Sequence, residues 1–117
     1  VPTQYSLFFP DRKPLKIPRF NFTDYPELTF EKPDLKKFRN LALAFAALDD
    51  GGTTPCALNA ANEMVVDAFL TDKIGFLDMP VIIERCLDKI EIIKQPKLDD
   101  YISIDKEARK LAQSFMN

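Results

Sequence analysis

The chain has 117 residues and a formal net charge of -2, with 46% hydrophobic and 29% charged residues. This length fits one compact domain, and the composition is too apolar for a disordered chain and too mixed for a membrane protein. The longest unbroken apolar run, residues 41–48, is shorter than the roughly 18 residues that a membrane-spanning helix requires. We therefore expect a soluble globular protein that binds no membrane, and its two isolated cysteines favour the cytoplasm.

The side chains that usually carry chemistry are scarce. There is no histidine, and Cys56 and Cys86 lie far apart in the sequence, so this chain by itself offers no Cys/His zinc cluster, Ser-His-Asp triad or Cys-His dyad. We expect both cysteines to be buried free thiols. The sequence contains no block of Lys or Arg of the kind that binds nucleic acid, so we expect no nucleic-acid partner. The sequence therefore predicts no catalytic, cofactor-binding or metal-binding residue.

The first 33 residues differ in composition from the rest, because they contain six of the nine prolines. Residues 3–9 predict a short helix that Pro10 closes. From Pro14 to Phe30 apolar residues alternate in places, but the prolines restrict this segment to an edge strand or a polyproline-like arm. We expect the phenylalanines of this arm to be buried against another domain or subunit.

The remaining residues predict four amphipathic helices with short connections, which is typical of a small bundle. Asp34 and Asp78 are the expected N-caps of the first and third helices, and Gly51 or Gly52 is the left-handed residue that ends the first. The predicted helices are Asp34–Leu48, Pro55–Asp72, Met79–Ile92 and a last helix from Ser103 or Asp105 to Phe115. The fold class is thus mainly α, with an extended Pro/Phe-rich arm and little strand.

Each predicted helix carries an apolar stripe at three- and four-residue spacing. The stripe of the first helix consists of Leu35, Phe38, Leu41, Ala42, Phe45 and Leu48. The second has Leu58, Ala61, Val65, Ala68 and Phe69, and the third has Ile82, Ile83, Cys86, Leu87 and Ile90. The last helix has Ile104, Ala108, Leu111, Ala112 and Phe115.

Packing of an apolar stripe does not explain three polar residues of the second predicted helix. Asn59, Asn62 and Glu63 are three and four residues apart and so project from one side of the helix. Asparagine is a mediocre helix former, so the presence of two asparagines in this part of the helix requires an explanation. They either satisfy backbone groups of an adjacent loop or arm, or meet a ligand or the catalytic part of a larger protein.

Other charged groups have simpler interpretations. The pairs Asp49-Asp50 and Asp99-Asp100 lie in predicted turns, and sequence neighbours rarely converge on one ion, so we expect solvated or capping residues. The mild basic cluster of the arm, formed by Arg12, Lys13, Lys16 and Arg19, is expected to be solvated rather than a phosphate site.

The segment Gly51–Glu63, which contains the string Leu-Asn-Ala-Ala-Asn-Glu, closely resembles the C-terminal part of 1-deoxy-D-xylulose 5-phosphate reductoisomerase. The resemblance extends upstream through Leu28-Thr29-Phe30-Glu31 to the opening Pro2–Leu7, and downstream to the last helix, so it covers essentially the whole chain. One departure is Arg39-Asn40 before Leu41, where the family more often has Pro-Cys.

The resemblance implies an NADP-dependent oxidoreductase and isomerase of the non-mevalonate route to isoprenoids. The family enzyme is a homodimer that converts 1-deoxy-D-xylulose 5-phosphate to 2-C-methyl-D-erythritol 4-phosphate with NADPH and a divalent Mg or Mn ion. Its nucleotide-, metal- and phosphate-binding residues lie upstream of the position that matches Val1. The chain therefore resembles a fragment that is inactive alone, as its start at Val1-Pro2 also suggests.

The implied organisation has two parts. Residues 1–33 would be the end of the catalytic domain and a linker arm, and residues 34–117 a C-terminal bundle of the four-helix type. The bundle would be a scaffold for the remainder of the enzyme, with Asn59, Asn62 and Glu63 supporting the active-site domain. The alternative is a free-standing helical interaction module whose Phe-rich arm grips a partner through Phe8, Phe9, Phe20, Phe22 and Phe30.

Overall fold

A computed structural model of the chain describes residues 2–116. They form two compact units divided between residues 32 and 33. Five helices occur in the described residues, and no strand does. The mainly α fold class with little strand is thereby confirmed. None of these helices combines the length and the apolar character that crossing a membrane would require.

The first unit contains a short helix and an arm. Helix α1 spans Pro2–Phe8, one residue earlier at each end than predicted. The arm that follows has turns but no strand, so the first of the two predicted forms, an edge strand, is wrong. Phe20 packs edge-on against Phe22 at 4.9 Å and stacks on Tyr25 at 5.3 Å between ring centroids. Phe22 remains 78% exposed despite its contact, and Phe30 is 88% exposed.

The second unit is a bundle of four helices. They are α2 (Arg39–Asp50), α3 (Thr54–Leu70), α4 (Asp78–Lys89) and α5 (Leu98–Phe115). Helix α3 is central, because its contacts with α2, α4 and α5 are more extensive than those among the other three helices. Its inner face carries Ala57, Ala60, Ala61 and Ala68, small residues that let the neighbouring helices approach closely.

Helix α2 begins at Arg39 rather than at the predicted Asp34. The Asp34 carboxylate accepts hydrogen bonds from the backbone N–H groups of Lys36 (2.9 Å) and Lys37 (3.0 Å). These are the bonds that an N-cap makes to the second and third residues of a helix, so Asp34 has the predicted capping geometry. The turn that it caps closes with a hydrogen bond from the Phe38 N–H to the Asp34 carbonyl oxygen at 2.8 Å. Phe38 then has a non-helical backbone, with φ -105° and ψ 67°, so the helix starts only after it.

Helix α5 begins at Leu98, earlier than the predicted Ser103 or Asp105. The Asp100 carboxylate accepts the Lys97 N–H at 2.8 Å, and acidic residues in a first turn interact favourably with the helix dipole. The pair Asp99-Asp100 is thus helical and not part of a turn, and Asp100 has the expected capping role.

Other predicted helix limits also shift. Asp49 and Asp50 end α2 as helical residues, and α3 and α4 stop at Leu70 and Lys89, two and three residues before their predicted ends. Asp78 is not the N-cap of α4 but its first residue, and its carboxylate accepts the Gly75 N–H at 2.8 Å. The positive φ values predicted for the turn after α2 are found at both Gly51 and Gly52.

The core lies between α3, α4 and α5. Its largest fully buried side chains include Ile83, Val65 and Cys86. The predicted inner faces of α4 and α5 are confirmed at these buried positions: Ile82, Ile83, Cys86 and Ile90, and Ile104, Ala108 and Ala112. Of the α3 stripe, Leu58 is half-buried and packs against this core, whereas Phe69 is exposed.

The apolar stripe that predicts α2 is largely exposed to solvent. Phe38, Leu41, Phe45 and Leu48 are all exposed, and Ala47 is the buried residue of α2. Leu43 also packs against the core. Because residues 41–48 are apolar on every side, α2 has the character of a helix that is covered all round. In the described residues, however, other helices cover only the side of α2 that carries Leu43 and Ala47.

Candidate functional site

A polar network joins α3 to α5 and contains two of the three predicted site residues. The Asn59 side-chain amide donates to one oxygen of Glu63 at 3.0 Å. Arg109 donates to the other Glu63 oxygen at 2.7 Å. The same guanidinium donates to both oxygens of Asp105, at 2.9 and 3.1 Å. Arg109 therefore holds one carboxylate on its own helix and one on α3.

Helical spacing brings these groups together. Asn59 and Glu63 are four residues apart on α3, and Asp105 and Arg109 are four apart on α5, the spacing at which side chains on a helix meet. The planar guanidinium of Arg109 has enough donors to serve two carboxylates at once. The network is thus a partly exposed polar link between α3 and α5.

The protonation states in this network are set by its hydrogen bonds. The bond from Arg109, followed by that from Asn59, holds the pKa of Glu63 below its ordinary value. The bonds to Asp105 and Glu63 raise the pKa of Arg109 above its ordinary value. Glu63 is therefore a paired anion at neutral pH, whereas a general base needs a pKa near the working pH.

Asn62 does not join this network. It lies half-buried on α3, and its side chain forms no hydrogen bond with the part of the chain that the structure describes. The structure thus brings Asn59 and Glu63 together and leaves Asn62 apart. Asn59 bonds Glu63 on its own helix, and Glu63 bonds Arg109 of α5. Neither side chain bonds the backbone of a loop or arm in the described residues, although one interpretation of the sequence expected such bonds.

No three Cys, Asp or Glu side chains among residues 2–116 lie close enough together to hold a metal ion. Asp49 and Asp50 are exposed at the end of α2. The Asp100 carboxylate already accepts a hydrogen bond from the Lys97 N–H. The described residues therefore do not fit a divalent-metal site, and no chemical step through a metal is derived for this chain.

Both cysteines are free thiols, as predicted, but only Cys86 is buried, and Cys56 is half-buried. Burial raises the pKa of Cys86 to about 11. Burial is also the main reason why the pKa of Cys56 is raised, and its Sγ lies 3.6 Å from the Tyr101 carbonyl oxygen. Since the thiolate is the nucleophilic form, neither group is activated for catalysis.

The basic cluster of the arm partly surrounds a cavity of about 400 Å³ within the first unit. Arg12, Lys13 and Arg19 line it, and Lys16 does not. The Arg12 guanidinium lies 4.5 Å from the centre of the Tyr5 ring. All four cationic residues are exposed, in keeping with the solvated positions that the sequence predicted.

A second concavity, in the four-helix unit, was not predicted from the sequence. This groove, of about 540 Å³, lies between the start of α2 and the segment that leads into α4. Its apolar lining is Phe38, Leu41, Phe76, Leu77 and Pro80, and Lys36, Lys37, Arg39 and Asn40 complete it. We call it the α2–α4 groove. The signal that could have revealed it is the all-round apolar character of α2.

Beside the groove, an ion pair joins α2 to α4 at the position where the sequence departs from the family pattern. Arg39, the first residue of α2, donates through Nε to Glu84 Oε1 of α4 at 2.8 Å and through Nη2 to Glu84 Oε2. Such two-point pairs fix direction as well as distance. The neighbouring Asn40 has a buried side-chain oxygen with no hydrogen-bond partner in the described structure.

Fold and site together define a small helical domain whose candidate polar residues tie its helices together. The chain belongs to the family of DXP reductoisomerase C-terminal domains, whose family model matches residues 1–111. A 1-deoxy-D-xylulose 5-phosphate reductoisomerase of Phocaeicola vulgatus is 49% identical over 117 residues, and one of Acetivibrio thermocellus is 44% identical over 116. These matches cover 100% and 99% of this chain.

Solved structures of reductoisomerases also superpose on this chain. The reductoisomerase of Zymomonas mobilis in complex with NADPH superposes with a TM-score of 0.85 at 39% identity over 99% of this chain. A DOX-P reductoisomerase in complex with NADPH, fosmidomycin and magnesium gives 0.86 at 33% identity over 98%. This chain spans 31% of the length of the Zymomonas and Phocaeicola proteins and 30% of the other two. It thus corresponds to part of a larger enzyme.

Proposed function

We propose that this chain is the C-terminal scaffold portion of a reductoisomerase that uses NADPH and a divalent Mg or Mn ion. The enzyme would convert 1-deoxy-D-xylulose 5-phosphate to 2-C-methyl-D-erythritol 4-phosphate in isoprenoid biosynthesis. The observation that carries the proposal is the match of 49% identity over the whole chain. It is supported by the superposition on a relative that is described in complex with NADPH.

In this proposal the chain supplies support and not chemistry. Residues 1–33 form the end of the catalytic domain and the linker arm, and residues 34–117 form the bundle. NADPH and the metal are bound by the remainder of a cytoplasmic, homodimeric enzyme. Asn59, Asn62 and Glu63 support the active-site domain, and the bonds of Glu63 to Asn59 and Arg109 keep that face of α3 in place.

A chimera tests this proposal. The part of the Phocaeicola vulgatus relative outside the matched region is joined to this chain, and we call the product the long chimera. With 1-deoxy-D-xylulose 5-phosphate and Mg²⁺ the long chimera should oxidise NADPH and form the methylerythritol phosphate. The relative truncated at the same junction, and the 117-residue chain alone, should not.

Two results would overturn the proposal. Turnover by the 117-residue chain alone would contradict the scaffold role. An inactive long chimera, with the intact relative active under the same conditions, would contradict its membership of a working reductoisomerase.

The exposed arm also agrees with the alternative of a free-standing interaction module, since Phe22 and Phe30 are open to solvent. The same exposure arises when the rest of a longer protein covers these rings. Activity of the long chimera would favour the scaffold. An inactive chimera, together with tight binding of a separate protein to the arm, would favour the module.

A further inference from the structure

We infer that the α2–α4 groove is the seat of an apolar, acid-flanked segment from the part of the longer polypeptide outside these 117 residues. The inference rests on the proposed function, and it names a further surface, apart from Asn59, Asn62 and Glu63, through which the bundle would contact the remainder of the enzyme.

The first argument is the character of the groove. Phe38, Leu41, Phe76 and Leu77 are all exposed and line one concavity, and Phe69 extends the same surface through a 5.9 Å ring contact with Phe76. Contiguous exposed apolar surface of this kind marks a protein interface more often than free surface. Aromatic anchors in pockets are typical of the centre of such interfaces.

The second argument is charge. Lys36 and Lys37 line the groove and form no ion pair with any of the described residues, whereas the Arg39 charge is already used by Glu84. An occupant with Asp or Glu beside its apolar residues would complement these two cations and would be oriented by them.

The third argument is Asn40, another residue that lines the groove. Its buried side-chain oxygen lacks a hydrogen-bond partner in residues 2–116. A buried acceptor left unsatisfied is unfavourable. A polypeptide occupant carries N–H groups that could bond this oxygen, so a peptide segment suits the groove better than a purely apolar molecule.

We assign the occupant to the same polypeptide because this chain matches less than a third of the length of its relatives. The chain spans 31% of the first relative that it matches, so most of the longer protein lies outside it. A segment tethered to the bundle has a high effective concentration at the groove, which favours it over a second copy or a separate protein.

Cysteine labelling tests the inference with a matched pair of positions. Leu77 lies in the groove and Leu98 outside it, and they are 75% and 74% exposed. Leu77→Cys and Leu98→Cys are made separately in the 117-residue chain and in the long chimera. Maleimide labelling at each position is then followed by peptide mass, which separates it from any labelling of Cys56 and Cys86.

The two positions should label at similar rates in the 117-residue chain. In the long chimera, the rate at position 77 relative to position 98 should fall by at least about tenfold. Equal relative rates in the two proteins would overturn the inference. Protection of position 77 that grows with the concentration of the 117-residue chain would also overturn it, because the occupant would then be a second copy.

A charge reversal gives a second readout. Lys36→Glu with Lys37→Glu should restore labelling of position 77 in the long chimera, and the control pair Lys106→Glu with Lys110→Glu on α5 should not. Equal effects of the two pairs would contradict the acidic flank. Turnover is measured separately, so an active chimera without protection refutes only this inference, and a protected but inactive chimera refutes only the proposed function.

Discussion

Thr53 and Ile93, which are 40 residues apart in the sequence, are joined by two hydrogen bonds. The Thr53 N–H donates to the Ile93 carbonyl oxygen at 3.0 Å, and the Ile93 N–H donates to the Thr53 hydroxyl oxygen at 3.0 Å. The neighbouring Lys94 ammonium donates to the carbonyl oxygen of Asp50 at 2.9 Å. The turn between α2 and α3 is therefore attached to the connection between α4 and α5.

Thr53→Val should lower the free energy of unfolding by about 1–3 kcal/mol, because the shape is kept and the Ile93 N–H loses its acceptor. Exchange of the Ile93 amide hydrogen, followed by NMR, should become faster. Thr53→Ser is the control, since it keeps the hydroxyl and should leave this amide protected. Unchanged exchange in the Val variant would contradict the role of this bond.

Gly52→Ala should destabilise the chain more than Gly51→Ala. Both glycines have positive φ, 57° and 67°, so either substitution should cost about 1–3 kcal/mol of backbone strain. A Cβ at Gly52 would in addition collide with the Ile93 carbonyl oxygen, whereas one at Gly51 would meet no atom within 4 Å. Thermal unfolding of the two variants measures the difference, and equal melting temperatures would contradict the close approach to Ile93.

Glu63→Gln should cause a small decrease in the melting temperature at neutral pH. Because the folded pKa of Glu63 lies below the ordinary value of about 4.3, its stabilisation is present above that value and is lost as the pH falls through the folded pKa. The difference between wild type and variant should therefore vanish in acid. Glu107→Gln, at an exposed position of α5, is the control, and a difference that does not depend on pH would contradict the pairing with Arg109.

Cys56 should react with a thiol reagent before Cys86 in the folded chain, and both should react slowly at neutral pH. Cys86 is fully buried with a pKa of about 11, whereas Cys56 is half-buried. Mass spectrometry of the labelled peptides gives the order, and denaturant should bring the two rates together. Faster reaction of Cys86 in the native state would contradict the packing of α4.

The sequence by itself determined the helical fold class, the inner faces of α4 and α5 and the left-handed turn after α2. These features depend on local properties, namely apolar periodicity and the conformational freedom of glycine. The family was also recognisable from the sequence, because the string around Asn59 and Glu63 lies in one continuous segment.

Only the tertiary structure decided the partners of that segment and the outward surface of α2. Glu63 and Arg109 are 46 residues apart, and no local pattern indicates which helix lies opposite. The stripe through Phe38 and Phe45 is equally periodic whether it is covered or open, so periodicity cannot tell the two cases apart. The core of this unit is filled by α3, α4 and α5 and by the other side of α2, and this packing leaves the larger side chains of α2 facing solvent.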